Sequence, residues 1–156
     1  EDREALGGLL RQESCPVPLR VTEDVHPRRG PLEGLASGLE CLRTPWAFAL
    51  GCDMPFVREA TVRCLWERRT SRSQVVCGER GGYLEPLHAF YAVSCLPAAR
   101  RALEAGRRGM KDFYGQVCLT VVEEAALGLD PEHGDSFAGI NTPEDLVRYL
   151  SSSRDL

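Results

Sequence analysis

The chain has 156 residues, of which 43% are hydrophobic and 27% are charged, the composition of an ordinary globular domain. At this length we predict a single domain over residues 1–156 with a core that needs no disulfide or metal support. The net charge of −4 argues against duplex nucleic acid as a partner, because no overall positive field would attract it. No apolar run reaches the length of a bilayer span, and the charged start excludes a signal peptide there, so we expect no membrane partner.

The seven cysteines include no CxxC pair, which excludes a zinc ribbon or a thioredoxin-type motif. Five of them, Cys41, Cys64, Cys77, Cys95 and Cys118, lie in apolar-patterned segments. We interpret them as buried, reduced thiols in a reducing cytosol, and therefore expect a cytoplasmic protein. The chain does not begin with methionine, and we expect it to begin inside a longer protein.

Apolar periodicity and turn residues divide the chain into alternating strands and helices. This alternation predicts an α/β fold with a mostly parallel sheet and one antiparallel element. In chain order, the predicted elements are a helix over residues 3–12, a strand over 18–22, a helix with Pro31 in its first turn, a strand over 46–50, a helix over 57–69, a strand over 73–78, a turn at 81–82, an extended segment over 84–93, a helix over 97–105, a helical turn over 110–114, a strand over 117–122 and a helix capped by Thr142.

A lone carboxylate follows the apolar strand over residues 46–50, where the run breaks at Gly51 and presents Asp53. Ligands of open α/β sheets bind outside the carboxyl ends of the strands, which makes Asp53 a candidate metal ligand or ligand anchor. A turn or helix-capping aspartate explains the local pattern equally well. Asp24 follows the predicted strand over 18–22 in the same manner, and there the local pattern favours the turn interpretation.

A compact basic cluster consists of Arg107, Arg108 and Lys111 beside Gly109. Such a cluster can bind a phosphate, although a solvated loop is the simpler interpretation. The glycine-containing loop before Pro31 gives only a weak indication of an anion site at a helix start. The three histidines show no Ser/His/Asp arrangement by their spacing.

Four motifs occur in one order, at residues 30–35 (GPLEGL), 51–56 (GCDMPF), 85–89 (EPLHA) and 140–146 (INTPEDL). Together they resemble the molybdenum cofactor guanylyltransferases, over roughly residues 17–150. The resemblance implies a Rossmann-like, three-layer fold of the nucleotide-diphospho-sugar-transferase type. It also implies transfer of GMP from GTP to molybdopterin with Mg²⁺ as cofactor and release of pyrophosphate. GTP and molybdopterin would be the partners, with molybdoenzymes or their chaperones as further ones.

The resemblance also implies roles for individual residues. Asp53 would bind Mg²⁺ and contact the nucleotide, Asp24 would contact GTP, and Asn141 would lie near the pterin. The chain has Gly139 where many members have a second asparagine, which is a departure from the family pattern. On this resemblance the basic cluster of Arg107, Arg108 and Lys111 would offset the charge of the pterin phosphate.

The family also opens with a Leu-Ala-Gly-Gly phosphate-binding loop, which this chain does not contain. We therefore expect the domain to be N-terminally incomplete and the 156 residues alone to be inactive. Two other functions remain open at this stage. One is that of the related molybdopterin cytidylyltransferases, which use CTP, and the other is a degenerate domain that binds a nucleotide or cofactor without catalysis.

Overall fold

The computed structural model describes residues 20–127 and 136–152. Its helices are α1 (Pro31–Glu40), α2 (Glu59–Glu67), α3 (Leu96–Glu104) and α4 (Pro143–Ser152). Its strands are β1 (Trp46–Leu50), β2 (Val75–Arg80), β3 (Tyr83–Ala92) and β4 (Leu119–Val122). Short 3₁₀ turns occupy Val93–Cys95, Tyr114–Gln116 and Glu124–Ala126.

The four described strands form one mixed sheet in the order β1-β3-β2-β4. Strand β3 is antiparallel to both β1 and β2, whereas β2 and β4 are parallel. Strands β1, β2 and β4 therefore point the same way and only β3 opposes them, which confirms the prediction of a mostly parallel sheet with one antiparallel element. Leu50, the last residue of β1, pairs with His88, so β3 begins well beyond the carboxyl end of β1.

Alternate residues of each strand face opposite layers, as the period of two requires. On one face, Cys77, Ala89 and Tyr91 pack with helices α1 and α3 in a single core cluster. On the other face, Val76 and Phe90 pack with Leu65 of α2 in a second cluster. The molecule is thus a three-layer α/β/α structure, as the resemblance implied.

Two helix starts follow the predicted chemistry. Pro31 occupies the first turn of α1, and Gly30 before it has a φ of 78°, a conformation that favours glycine. At α4, the Thr142 hydroxyl accepts the N–H of Asp145 at 3.1 Å, and the Asp145 carboxylate accepts the N–H of Thr142 at 3.0 Å. This reciprocal pair confirms Thr142 as the cap of the last helix.

The predicted strand over residues 18–22 is wrong where the structure describes it, because residues 20–22 belong to no strand. The segment instead runs along α1, with Arg20 Nη1 donating to the carbonyl of Cys41 at 3.4 Å and the N–H of Val25 donating to Ser37 Oγ at 3.0 Å. A local β-like pattern makes no strand unless a neighbouring strand pairs with it, and the described residues 20–22 lie beside a helix instead.

The other predicted elements in the described ranges are present with ends shifted by a few residues, except that the 3₁₀ turn Tyr114–Gln116 follows rather than fills the predicted helical turn. The predicted helix over residues 3–12 lies outside the described residues. Within the described ranges, no helix combines the length and the apolar character that crossing a membrane requires.

Candidate functional site

Three segments that are distant in sequence line one pocket of about 230 Å³ beyond the carboxyl end of β1. They belong to three of the four motifs singled out from the sequence or lie directly beside them. The lining residues are Asp53, Met54, Glu85, Pro86, Leu87, Phe137, Gly139 and Asn141.

The turn after β1 places Asp53 in this pocket. The N–H of Gly51 donates to the carbonyl of Leu87 at 2.9 Å, and the N–H of Met54 donates to the carbonyl of Gly51 at 3.2 Å. Gly51 is buried, and a Cβ added there would lie 2.5 Å from Asp53 Oδ1. The half-buried carboxylate therefore folds back over the bare backbone of Gly51.

The Asp53 side chain is not used to close that turn. Among the described residues, no hydrogen bond reaches its carboxylate, whereas its backbone carbonyl accepts the N–H of Ile140 at 2.7 Å. A turn or capping aspartate accepts nearby backbone N–H groups with its side chain. Among the described residues, the Asp53 side chain thus lacks the hydrogen bond by which a turn or capping aspartate is recognised.

The segment over residues 136–141 brings Asn141 to the same place. A Cβ added at Gly139 would lie 3.1 Å from Asn141 Nδ2, 3.4 Å from the carbonyl oxygen of Asp53 and 3.7 Å from Asp53 Oδ2. Gly139 is therefore the point at which this segment approaches Asp53. The departure from the family pattern at Gly139 coincides with this contact.

Ser136 and His88 hold that segment on the sheet. Ser136 Oγ lies 3.2 Å from His88 Nε2 and accepts the backbone N–H of Arg58 at 3.1 Å. The fully buried His88 ring packs edge-on against Phe48 at 5.0 Å and Phe137 at 4.5 Å between ring centroids. His88 thus joins the pocket segment to the aromatic core.

A buried pair of tyrosines supports the part of the pocket wall that Pro86 forms. Tyr91 Oη donates to the carbonyl of Pro86 at 2.7 Å and lies 2.7 Å from Tyr114 Oη. Burial raises the pKa of both tyrosines well above the ordinary value. Both phenols therefore stay neutral and remain hydrogen-bond donors.

A second pocket of about 340 Å³ lies between α1 and β1, and Leu87 lines both pockets. The Asp24 carboxylate lies on the side of α1, where its Oδ1 is 3.5 Å from the place that a Cβ of Gly34 would take. This second pocket is mainly apolar and is lined by Pro31, Gly34, Leu35, Gly38, Ala47, Phe48, Ala49, Leu50, Leu87 and Met110.

The basic cluster meets α1 through its backbone. The carbonyl of Arg108 accepts the N–H of Leu32 at 3.4 Å, and the carbonyl of Gly30 accepts the N–H of Glu33 at 3.1 Å. Backbone carbonyls thus take two N–H groups of the first turn of α1 that an anion would need. Arg107, Arg108 and Lys111 have exposed side chains and do not line the pocket around Asp53.

The predicted site residues therefore fall into two groups. Asp53 and Asn141 lie together in the first pocket, whereas Asp24 and the basic cluster lie beside α1. Glu85 is a pocket carboxylate that the sequence reasoning placed in a motif but gave no role. In the sequence, Glu85 stands directly before Pro86 in an extended segment, and a proline within a strand marks a strand end or an irregularity in the sheet.

The pocket offers oxygen ligands, namely the Asp53 and Glu85 carboxylates and the Asn141 amide. Among the described residues, no three His, Cys, Asp or Glu side chains form a metal-binding cluster. A donor set of one or two carboxylates fits Mg²⁺, which keeps several waters and takes its other ligands from substrate phosphates.

A model of the MobA-like NTP transferase domain matches residues 5–121 of this chain. The chain belongs to the MobA-like NTP transferase family. The matched range contains the first three motifs and both sides of the second pocket, and it ends within β4. Membership in this family confirms the resemblance seen in the sequence.

Relatives carry names that agree with this membership. A protein of Pelotomaculum thermopropionicum named "Probable molybdenum cofactor guanylyltransferase" is 29% identical over 143 residues, covering 92% of this chain and 69% of its own length. The molybdenum cofactor guanylyltransferase of Desulfosudis oleivorans is 33% identical over 129 residues, covering 82% of this chain and 63% of its own length. The chain thus spans roughly two thirds of the length of these relatives.

The fold itself also has a solved counterpart. The crystal structure of molybdopterin-guanine dinucleotide biosynthesis protein A from Archaeoglobus fulgidus superimposes with a TM-score of 0.78 at 23% sequence identity. The superposition covers 100% of this chain and 76% of that one. The three-layer architecture described above is therefore the MobA nucleotidyltransferase fold.

Proposed function

We propose that this MobA-like domain transfers GMP from GTP to molybdopterin with release of pyrophosphate. The observation that carries the proposal is the Asp53 carboxylate, which lines a pocket with Glu85 and Asn141 and is not used to close its own turn. Family membership and the names of the relatives support guanylyl transfer as the chemistry.

Nucleotidyl transfer asks for positioning and for neutralisation of phosphate charge more than for covalent catalysis. In this proposal Asp53 holds Mg²⁺, with Glu85 as the second carboxylate within reach of the same pocket. The ion would neutralise charge on the triphosphate and orient it. No histidine or cysteine ligand is needed, because Mg²⁺ prefers oxygen.

The remaining roles follow from the two groups of residues. Asp24, exposed on the loop beside α1, would contact GTP next to the second pocket. Asn141 would contact the pterin from the other side of Asp53. Arg107, Arg108 and Lys111 would meet the pterin phosphate as solvent-exposed charges. We also propose a cytoplasmic location, since the six described cysteines are all free thiols.

The test uses the full-length protein with GTP, Mg²⁺ and molybdopterin, and measures pyrophosphate release together with formation of the guanine dinucleotide. Asp53→Ala should abolish transfer while the circular dichroism spectrum and melting temperature stay near wild type. Cys52→Ser is the matched control, because Cys52 is the exposed neighbour in the same turn. Transfer at the wild-type rate in Asp53→Ala would refute the assignment of the metal ligand.

Competition between GTP and CTP tests the identity of the nucleotide. We expect unlabelled GTP, and not CTP, to displace labelled GTP from the full-length protein. Displacement by CTP alone would identify a cytidylyltransferase instead. Nucleotide binding without any transfer to molybdopterin would identify a degenerate domain.

A further inference from the structure

Glu33 is a carboxylate in the first turn of α1 that has no exposed surface. It accepts a hydrogen bond from Arg100 Nη1 of α3 at 2.6 Å and another from Ser37 Oγ at 3.3 Å. Arg100 Nε also donates to Glu40 at 2.8 Å, so the arginine bridges two carboxylates of the same helix. A buried ion pair is a costly way to join two helices, because apolar residues of similar volume do so without desolvating charges.

The network extends to the loop that carries Asp24. The N–H of Val25 donates to Ser37 Oγ at 3.0 Å. Because the single hydroxyl proton of Ser37 points to Glu33, an oxygen lone pair of Ser37 is left to accept that N–H. The carboxylate therefore sets the direction of the hydroxyl that holds the residue after Asp24.

The loop that carries Asp24 also affects the pKa of Glu33. Burial alone would raise its pKa, but Arg100, Ser37 and the backbone N–H of His26 outweigh burial and hold the pKa below the ordinary value. Glu33 Oε2 has no hydrogen-bond partner among the described residues. The backbone N–H of Val25 thus bonds this network, and that of His26 contributes to the low pKa of Glu33.

We propose that Glu33, acting through Ser37, is a positioning residue that fixes the loop over residues 23–30 and thereby sets where Asp24 meets the nucleotide. The proposal rests on the proposed function, which gives Asp24 its nucleotide contact. The loop needs such an anchor, because Asp24 and the residues around it are exposed and Arg28 adopts a φ of 65°, which L side chains rarely take. The Asp24 carboxylate lies over Gly34, one residue after Glu33 on the same helix.

The experiment compares variants of the full-length protein by steady-state kinetics with GTP varied. Ser37→Ala removes the acceptor of the Val25 N–H but keeps the ion pair with Arg100, so the fold is retained. Glu33→Gln removes the charge that orients the hydroxyl. For each of these two variants we expect the KM for GTP to rise about 10-fold, the effect of losing one hydrogen bond and leaving its donor unpaired. We expect kcat to stay within about 2-fold of wild type.

Glu40→Gln is the matched control, since Glu40 bonds the same arginine from the same helix and, within the described part of the chain, makes no hydrogen bond to the loop. It should leave both KM and kcat unchanged. If Glu40→Gln raises KM as much as Glu33→Gln, the network only joins α1 to α3 and the proposal is overturned.

A double-mutant cycle with Asp24→Asn separates positioning from general loosening. If Ser37 acts through Asp24, then Ser37→Ala raises KM no further than about 2-fold in the Asp24→Asn background. Full additivity of the two changes would overturn the proposal. If Asp24→Asn alone leaves KM unchanged, the nucleotide role of Asp24 fails and this proposal fails with it, whatever role Asp53 has.

Trypsin gives a readout that does not depend on activity, because Arg28 and Arg29 lie in the loop. Ser37→Ala should speed cleavage after these arginines several-fold with little change in melting temperature, and Glu33→Gln, which also breaks the buried ion pair with Arg100, should speed it at least as much. Glu40→Gln should not. Unchanged cleavage in both loop variants would show that the loop is not anchored by this network, even if guanylyl transfer is confirmed.

Discussion

The hydroxyl of Tyr91 connects the core to the pocket wall, and its removal in Tyr91→Phe should destabilise the fold. Its only proton goes to the carbonyl of Pro86 at 2.7 Å, so the contact with Tyr114 at 2.7 Å must have Tyr114 as donor. Tyr91→Phe therefore breaks two hydrogen bonds and takes one partner each from the Pro86 carbonyl and the Tyr114 hydroxyl.

Because Tyr114 donates to Tyr91, the two Tyr→Phe substitutions should lower the free energy of unfolding by different amounts. Tyr91→Phe should lower the free energy of unfolding by about 2 kcal/mol, whereas Tyr114→Phe removes one donor, leaves the Tyr91–Pro86 bond intact and should cost about 1 kcal/mol. For a domain of this size, 2 kcal/mol corresponds to a fall in melting temperature of about 4–8 °C. The free energies come from urea unfolding of the full-length protein, followed by circular dichroism.

The double variant completes the test. Once Tyr91 has lost its hydroxyl, the Tyr114 hydroxyl has lost this acceptor and keeps only its interaction with Cys77, so Tyr114→Phe should cost less in the Tyr91→Phe background than in the wild type. A larger cost for Tyr114→Phe than for Tyr91→Phe would refute the donor direction. Additive costs would refute the coupling between the two phenols.

Three further predictions concern the rest of the fold. Gly38→Ala should stabilise the protein by about 0.5–1 kcal/mol in urea unfolding, since nothing lies within 4 Å of the added methyl group on α1. In native protein a thiol reagent should label the exposed Cys118 quickly, but Cys77 and Cys95 only on unfolding. Burial raises the pKa of Cys77 to about 11 and that of Cys95 to about 12, so neither forms a reactive thiolate. Mass spectrometry of the labelled peptides measures the difference. The pKa of Glu33 is lower in the folded than in the unfolded protein, so its charge stabilises the fold above the ordinary pKa of 4.5, and this contribution is lost as pH falls through the lower folded value. The free energy of unfolding of Glu33→Gln, measured in urea, should therefore fall less steeply at acid pH than that of the wild type.

Local sequence patterns predicted the elements that are determined by residues close together in the sequence. The apolar run of β1 has the predicted bounds, and Thr142 and Pro31 begin their helices as their residue types require. The antiparallel strand was visible because the turn at residues 81–82 separates two extended runs and no helix can fit between them.

The features that sequence could not predict depend on contacts between distant residues. The segment before Asp24 looks like a strand, but the side chains of Arg20 and Thr22 contact Cys41 at the end of α1, and the described part of the segment pairs with no strand. Glu85 becomes a pocket residue only because β3 continues beyond the carboxyl end of β1, where Gly51 pairs with Leu87. No periodicity in one chain encodes such pairings, which arise when the sheet register is set.

At Asp53 the backbone completes the fold without help from the side chain. The turn is closed by the N–H groups of Gly51 and Met54, and the carbonyl of Asp53 receives Ile140, so every one of these bonds would survive loss of the carboxylate. A residue whose backbone completes the fold while its half-buried carboxylate accepts no hydrogen bond from the described residues contributes little to stability. Substitution at Asp53 should therefore spare the fold and, on the proposed function, remove transfer, which separates this residue from the buried Glu33, whose carboxylate is itself part of the structure.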